Sequence, residues 1–242
     1  MRRTTYLVAA AIFLVCAVST YAQQRGQNGP APAPKRASLI FREDFKGRAP
    51  GAEAEIQLTQ DQLMNPNLLL RLYGPGGKPG HGNQLGLLLN NNEDPATGDI
   101  VSYAWSGVTD GNWAILLKDK NNYLDLTGPA KIRWRVRPRG THQLHPVVKL
   151  ADGTMWVADY AEPSSTYWRE NEFFIVDIPR WRTLDENTVA EGKDVVWKIN
   201  SQLNLSKVDE IGFSDLMRGS GHGTQGNSGV DWIEVYGAPV KR

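Results

Sequence analysis

The chain has 242 residues, with 27 Lys and Arg against 26 Asp and Glu and a formal net charge of +1. That near balance supplies no basic field for a polyanion and argues against nucleic acid as a partner. A single cysteine leaves no disulfide framework, so a hydrophobic core must hold the fold, and the length is sufficient for one.

At the start of the chain, Arg2 and Arg3 precede an apolar run over residues 7–18, and Thr20, Tyr21 and Ala22 place small residues before a cleavage position. The run is too short to span a bilayer. It reads as a secretory signal over residues 1–22, with a secreted or periplasmic destination and no membrane span after cleavage. Cys16 lies inside the signal, so the mature chain is expected to carry no thiol, and loss of Arg2 and Arg3 takes the net charge to −1. Residues 23–37, rich in Gln, Gly, Pro and Ala without periodicity, read as a flexible linker, and residues 38–242 as a single domain.

Within the domain, short alternating runs are separated by Gly, Pro, Asn and Asp. Strands are expected at 38–45, 67–73, 99–105, 113–118, 131–137, 144–150, 155–160, 172–178, 208–215 and 230–236. Short helical turns are expected at 59–64, where Thr59 caps and Gln62 replies, and at 184–190. No amphipathic helix of ordinary length and no internal repeat is present, which points to an all-β antiparallel jelly-roll β-sandwich with short helical turns.

Residues 131–160 predict a three-stranded meander. Asp152 and Gly153 form a two-residue hairpin loop, so Leu150 should pair with Met155, Val148 with Val157, Lys149 with Trp156 and His145 with Tyr160. Ile132, Trp134 and Val136 should lie beside this hairpin on the core face, together with Leu144, Val148, Met155 and Val157. The opposite face would then collect Arg133, Arg135, His145, Lys149, Trp156 and Tyr160. Adjacent cations there repel one another until an anion joins them.

The C-terminal third carries a resemblance to a known family. Val208-Asp-Glu-Ile-Gly-Phe-Ser-Asp215, a glycine-rich loop, and Val230-Asp-Trp-Ile-Glu-Val-Tyr-Gly237 resemble the last two strands of galactose-binding-like jelly rolls, the fold of many carbohydrate-binding modules. Ile40-Phe-Arg-Glu-Asp-Phe45 resembles their first strand. The resemblance implies that the first and last strands lie side by side. It also implies a structural calcium where their acidic residues meet, here Glu43, Asp44 and Asp231, which would supply part of a shell of roughly six to eight oxygens.

The residue types on the meander face fit sugar chemistry, since pyranose C–H faces stack on Trp and Tyr while hydroxyls need planar multi-donor partners. The expectation is a non-catalytic carbohydrate-binding protein, with uronate or sulfated glycans matched to the arginine stripe. Two alternatives stand beside it. One is a polysaccharide lyase or glycoside hydrolase on the same face, with Tyr160, His145, Arg135 and Lys149, or carboxylates among Asp159, Glu162, Glu170, Glu172 and Asp177. The other is a cell-envelope adhesion or structural domain. The loop 218–229 has the flexibility to close over a ligand, and His81, His142, His145 and His222 show no metal-binding spacing.

Overall fold

The computed structural model describes residues 36–46, 58–77, 90–94, 96–98, 100–105, 111–216 and 227–242. Residues 1–22, expected to be a signal, nearly all of the expected linker, His81, His222 and most of the glycine-rich loop lie outside the described residues. Fourteen strands occur among those described: β1 (Ser38–Glu43), β2 (Leu68–Tyr73), β3 (Asn90–Glu93), β4 (Ile100–Trp105), β5 (Trp113–Asp119), β6 (Asn122–Asp125), β7 (Lys131–Pro138), β8 (His145–Leu150), β9 (Met155–Ala158), β10 (Arg169–Phe174), β11 (Arg180–Leu184), β12 (Trp197–Ile199), β13 (Val208–Asp215) and β14 (Ser228–Lys241). No described helix is long and apolar enough to cross a membrane.

The strands form one curled antiparallel sheet folded on itself as a β-sandwich. In the first layer β7 lies between β10 and β14, while β1 and β4 share the far edge of β14. The second layer runs β2, β5, β13, β8, β9, β11, β12. The tail of β14 pairs with β6, and β6 touches β13, which joins the two layers. β1 and β14 are neighbours, with Phe41 opposite Val235, as the family resemblance implied.

The alternation of β7 sends Ile132, Trp134 and Val136 into the main core with Phe41, Leu144, Val148, Ile211, Phe213, Ile233 and Val235. Its neighbours, however, are not those expected. β7 pairs with β10 and β14, and residues 139–144 carry the chain to the other layer, where β8 begins. The physical reason is charge. β10 and β14 set Glu170, Glu172 and Glu234 opposite Arg135 and Arg133, where β8 would have set His145 and Lys149.

The hairpin register also differs, by one residue. Leu150 N–H donates to Thr154 O at 2.9 Å, so the loop has three residues, with Gly153 in the left-handed region at φ 88° and Asp152 Oδ1 accepting from Thr154 N–H. Val148 therefore faces Trp156, Lys149 faces Met155 and Val147 faces Val157. Trp156 turns into the main core, and Met155 and Val157 turn to the outer face. The slip is tolerated because that outer face is apolar too: Ala114, Leu116, Val147, Met155, Val157 and Leu184 pack under Val189.

The turn that delivers Val189 replaces the helical turn expected at 184–190. β11 ends at Leu184, Asp185 Oδ1 then accepts from the N–H groups of Asn187 and Thr188, and Asp185 bridges to Ala190. The turn near Thr59 does form, as a single 3-10 turn at Gln60–Gln62 with Thr59 N–H donating to Gln62 Oε1 at 2.7 Å. β10 stops at Phe174 rather than running to residue 178, because Ile175–Asp177 forms a 3-10 turn.

Candidate functional site

On the outer face of the first layer, Arg133 lies 3.1, 3.5 and 3.8 Å from the carboxylates of Glu234, Glu172 and Glu170. Arg135 donates to Asp94 and Asp231 at 2.5 and 2.7 Å. Arg42 bridges Asp44 and Glu234 and lies 4.4 Å from the ring centroid of Trp232, which is buried. The stripe expected to attract an external anion is thus neutralised by the protein's own carboxylates.

The three carboxylates assigned to calcium have partners as well. Glu43 is buried and accepts from the backbone N–H groups of Phe45, Met64 and Asn65 at 2.9, 2.7 and 3.0 Å. Burial pushes its pKa up against those three bonds. Asp44 is held by Arg42 and Asp231 by Arg135. Among the described residues no group of three or more His, Cys, Asp or Glu side chains is arranged to hold a metal ion.

His145 and Lys149 stand on the outer face of the other layer, away from the arginines of β7. His145 Nδ1–H donates to Tyr160 O at 3.0 Å, and burial, aided by the charge of Arg182, lowers its pKa and keeps the ring neutral at pH 7. Lys149 donates to Glu186 at 2.5 Å and to the hydroxyl of Tyr73 at 3.2 Å. The Tyr73 hydroxyl in turn donates to Glu210, and its pKa is pushed up to about 12 by burial and by that carboxylate. Tyr160 packs on the main core, stacked on Phe173 at 4.3 Å, with its hydroxyl donating to Glu162. Trp156 is 3% exposed. The six residues read as one ligand face are therefore divided among two outer faces and the core, and the Tyr160, His145, Arg135 and Lys149 set of a lyase does not converge.

A different set converges on the outer face of β11 and β12. Arg182 pairs with Trp197 and Arg180 with Ile199, so all four side chains share one face, while Trp181 turns to the core. Trp197 is 43% exposed, and the other seven tryptophans are buried or, for Trp105, half-buried. The guanidinium groups of Arg180 and Arg182 lie 4.6 and 5.3 Å from the Trp197 ring centroid. Arg180 Nε donates to Asp159 at 2.5 Å, and Arg182 pairs with Glu191 at 2.6 Å. Ile199 also borders a groove of about 560 Å³ lined by Leu126, Val176, Ile178, Leu203 and Leu205. An exposed indole with planar donors and a carboxylate nearby is suited to a sugar ring, whose apolar face stacks while its hydroxyls meet the charged groups.

Trp197, Arg180 and Arg182 lie outside the expected site because the expected strands do not include residues 180–184. The alternation Arg180-Trp-Arg-Thr-Leu184 was the available signal.

No protein-family model matches the chain, and no curated protein matches it. Among solved structures it is similar to the family 11 carbohydrate-binding module of a cellulosomal cellulase of Clostridium thermocellum, at 17% identity over 84% of this chain and 95% of that one, with a TM-score of 0.39. A family 11 module from the same organism, in complex with a β-1,3-1,4-mixed-linked tetrasaccharide, is similar at 16% identity over 84% and 99%, with a TM-score of 0.37. An exo-β-agarase is similar at 10% identity over 78% of this chain and 25% of that one, with a TM-score of 0.38.

Proposed function

We propose that this protein binds carbohydrate without altering it, through the face formed by Trp197, Arg180, Arg182 and Asp159, and that it does so outside the cytoplasm after removal of residues 1–22. The observation that carries the reading is the exposure of one tryptophan out of eight, with two guanidinium groups beside it. The enzyme alternative lacks a comparable focus: Asp159, Glu162, Glu170 and Glu172 are each paired with a cation, Asp177 stands on the 3-10 turn Ile175–Asp177, and the five are spread over several elements. Trp197→Ala should weaken binding of an oligosaccharide by about 1–2 kcal/mol, measured by calorimetry or retardation in a glycan-containing gel. Unchanged retention with an intact fold would remove the platform.

A second reading, adhesion to a protein, draws on the exposed Val176 and Ile199 at the groove. It would be favoured if Ile199→Asp abolished capture of envelope protein while glycan binding stayed absent in both forms.

A further inference from the structure

A second groove, of about 590 Å³, is lined by Arg139, Gly140, Ser164, Ser165 and Thr166. It lies between two connections that cross from one layer to the other, Arg139 just after β7 and Ser164 to Thr166 just before β10. The two connections are tied by Ser165 N–H donating to Pro138 O at 2.6 Å. The lining is therefore one cation and three hydroxyl groups on a braced backbone.

The charge at this place is uncompensated. Every described arginine after Arg36 has a carboxylate or aromatic partner except the half-buried Arg139, whose guanidinium meets no hydrogen-bond or ion-pair partner among the described residues. Arg137, two residues earlier, is buried against Trp168 at 4.6 Å and Tyr103 at 5.6 Å, and no carboxylate among the described residues lies within ion-pair distance of it. The positive charge of Arg139 acts on Arg137 and adds to the effect of burial in disfavouring its charged form. This is the reverse of Arg133 and Arg135, whose charges are cancelled by five carboxylates. Arg137 is sealed off and feels the charge of Asp94, so the groove itself presents one guanidinium without an ion-pair partner among the described residues, beside three hydroxyl donors, which together suit an oxyanion.

We infer that the Arg139 groove binds a sulfate or carboxylate group, carried by a sulfated or uronate-containing glycan. The guanidinium supplies two parallel donors to the oxyanion, and the hydroxyls of Ser164, Ser165 and Thr166 supply further ones. The identity of the carrier rests on the carbohydrate reading above; the oxyanion site itself does not.

The test uses the purified protein and three probes at matched ionic strength: inorganic sulfate, an oligosaccharide bearing sulfate esters or uronate carboxylates, and its neutral counterpart. Arg139→Gln should weaken the charged oligosaccharide about ten- to a hundredfold and leave the neutral one unchanged. Sulfate should raise the melting temperature of the wild type but not of the variant. Ser165→Ala, a milder change, should give a smaller loss in the same direction if Arg139→Gln fails to fold. If the charged oligosaccharide binds no more tightly than the neutral one, or if both variants leave their ratio unchanged, the oxyanion site is overturned while the Trp197 platform stands. If neither oligosaccharide binds but Arg139→Gln abolishes the sulfate effect, the carbohydrate reading falls and the oxyanion site is upheld.

Discussion

Truncation of Trp156 separates a surface role from a core role. A ligand platform would tolerate Trp156→Ala in the absence of ligand, but the structure leaves the residue 3% exposed and packs it in the main core. An indole of this kind withdraws about 200–250 Å² from water, which at ~25 cal/mol per Å² is about 5–6 kcal/mol as an upper bound. Its Nε1–H also donates to Thr154 Oγ1 at 2.8 Å, and Lys198 Nζ lies 5.0 Å from its ring centroid. Allowing for partial collapse of the cavity, the expected cost is about 3–5 kcal/mol. That is a large part of a typical stability of about 5–15 kcal/mol, and it should lower the melting temperature by roughly 10 °C in a domain of this size. Urea denaturation followed by tryptophan fluorescence or circular dichroism measures it, with Trp197→Ala as the exposed control, expected within about 1 kcal/mol of wild type. A Trp156→Ala protein as stable as that control would refute the observed register and restore the two-residue hairpin.

Gly212→Ala should be among the most damaging single-atom changes, because a Cβ there would stand 1.9 Å from Ile115 O and 2.8 Å from Leu116 Cα, both backbone atoms of β5. A loss of more than about 2 kcal/mol in denaturant titration is expected, and a neutral effect would show that β5 yields freely. Burial raises the pKa of Glu210, so its folded form holds its proton more tightly than the unfolded chain. The stability from that proton is full below the unfolded value near ~4.3 and is lost as pH rises through the folded value. Glu210→Gln removes this gain, so its melting temperature minus that of the wild type should become more negative between pH 7 and pH 4.5; a difference that moves the other way would contradict the direction of the shift. For calcium at Glu43, Asp44 and Asp231, engagement by N–H donors and arginines leads us to expect an unchanged melting curve on chelation. A fall that added calcium reverses would establish a metal shell there.

Side-chain alternation and turn residues were enough to place most strands, including β13 over its observed span of Val208–Asp215, and to assign Ile132, Trp134 and Val136 to the core. The pairing of the first strand with the last followed from the family resemblance and not from alternation. Alternation, however, reports which face a residue takes and says nothing about which strand lies alongside. β7 found its neighbours through long-range charge matching to β10 and β14, strands that begin 38 and 97 residues after Lys131. The hairpin failed for a related reason: a one-residue slip is forbidden only when one face is polar, and here Val189, arriving from a distant turn, makes both faces apolar. The arginines of β7 could not be recognised as satisfied, nor Arg139 as unsatisfied, until the strands were assembled, because an ion pair depends on distances that only the folded chain brings within reach.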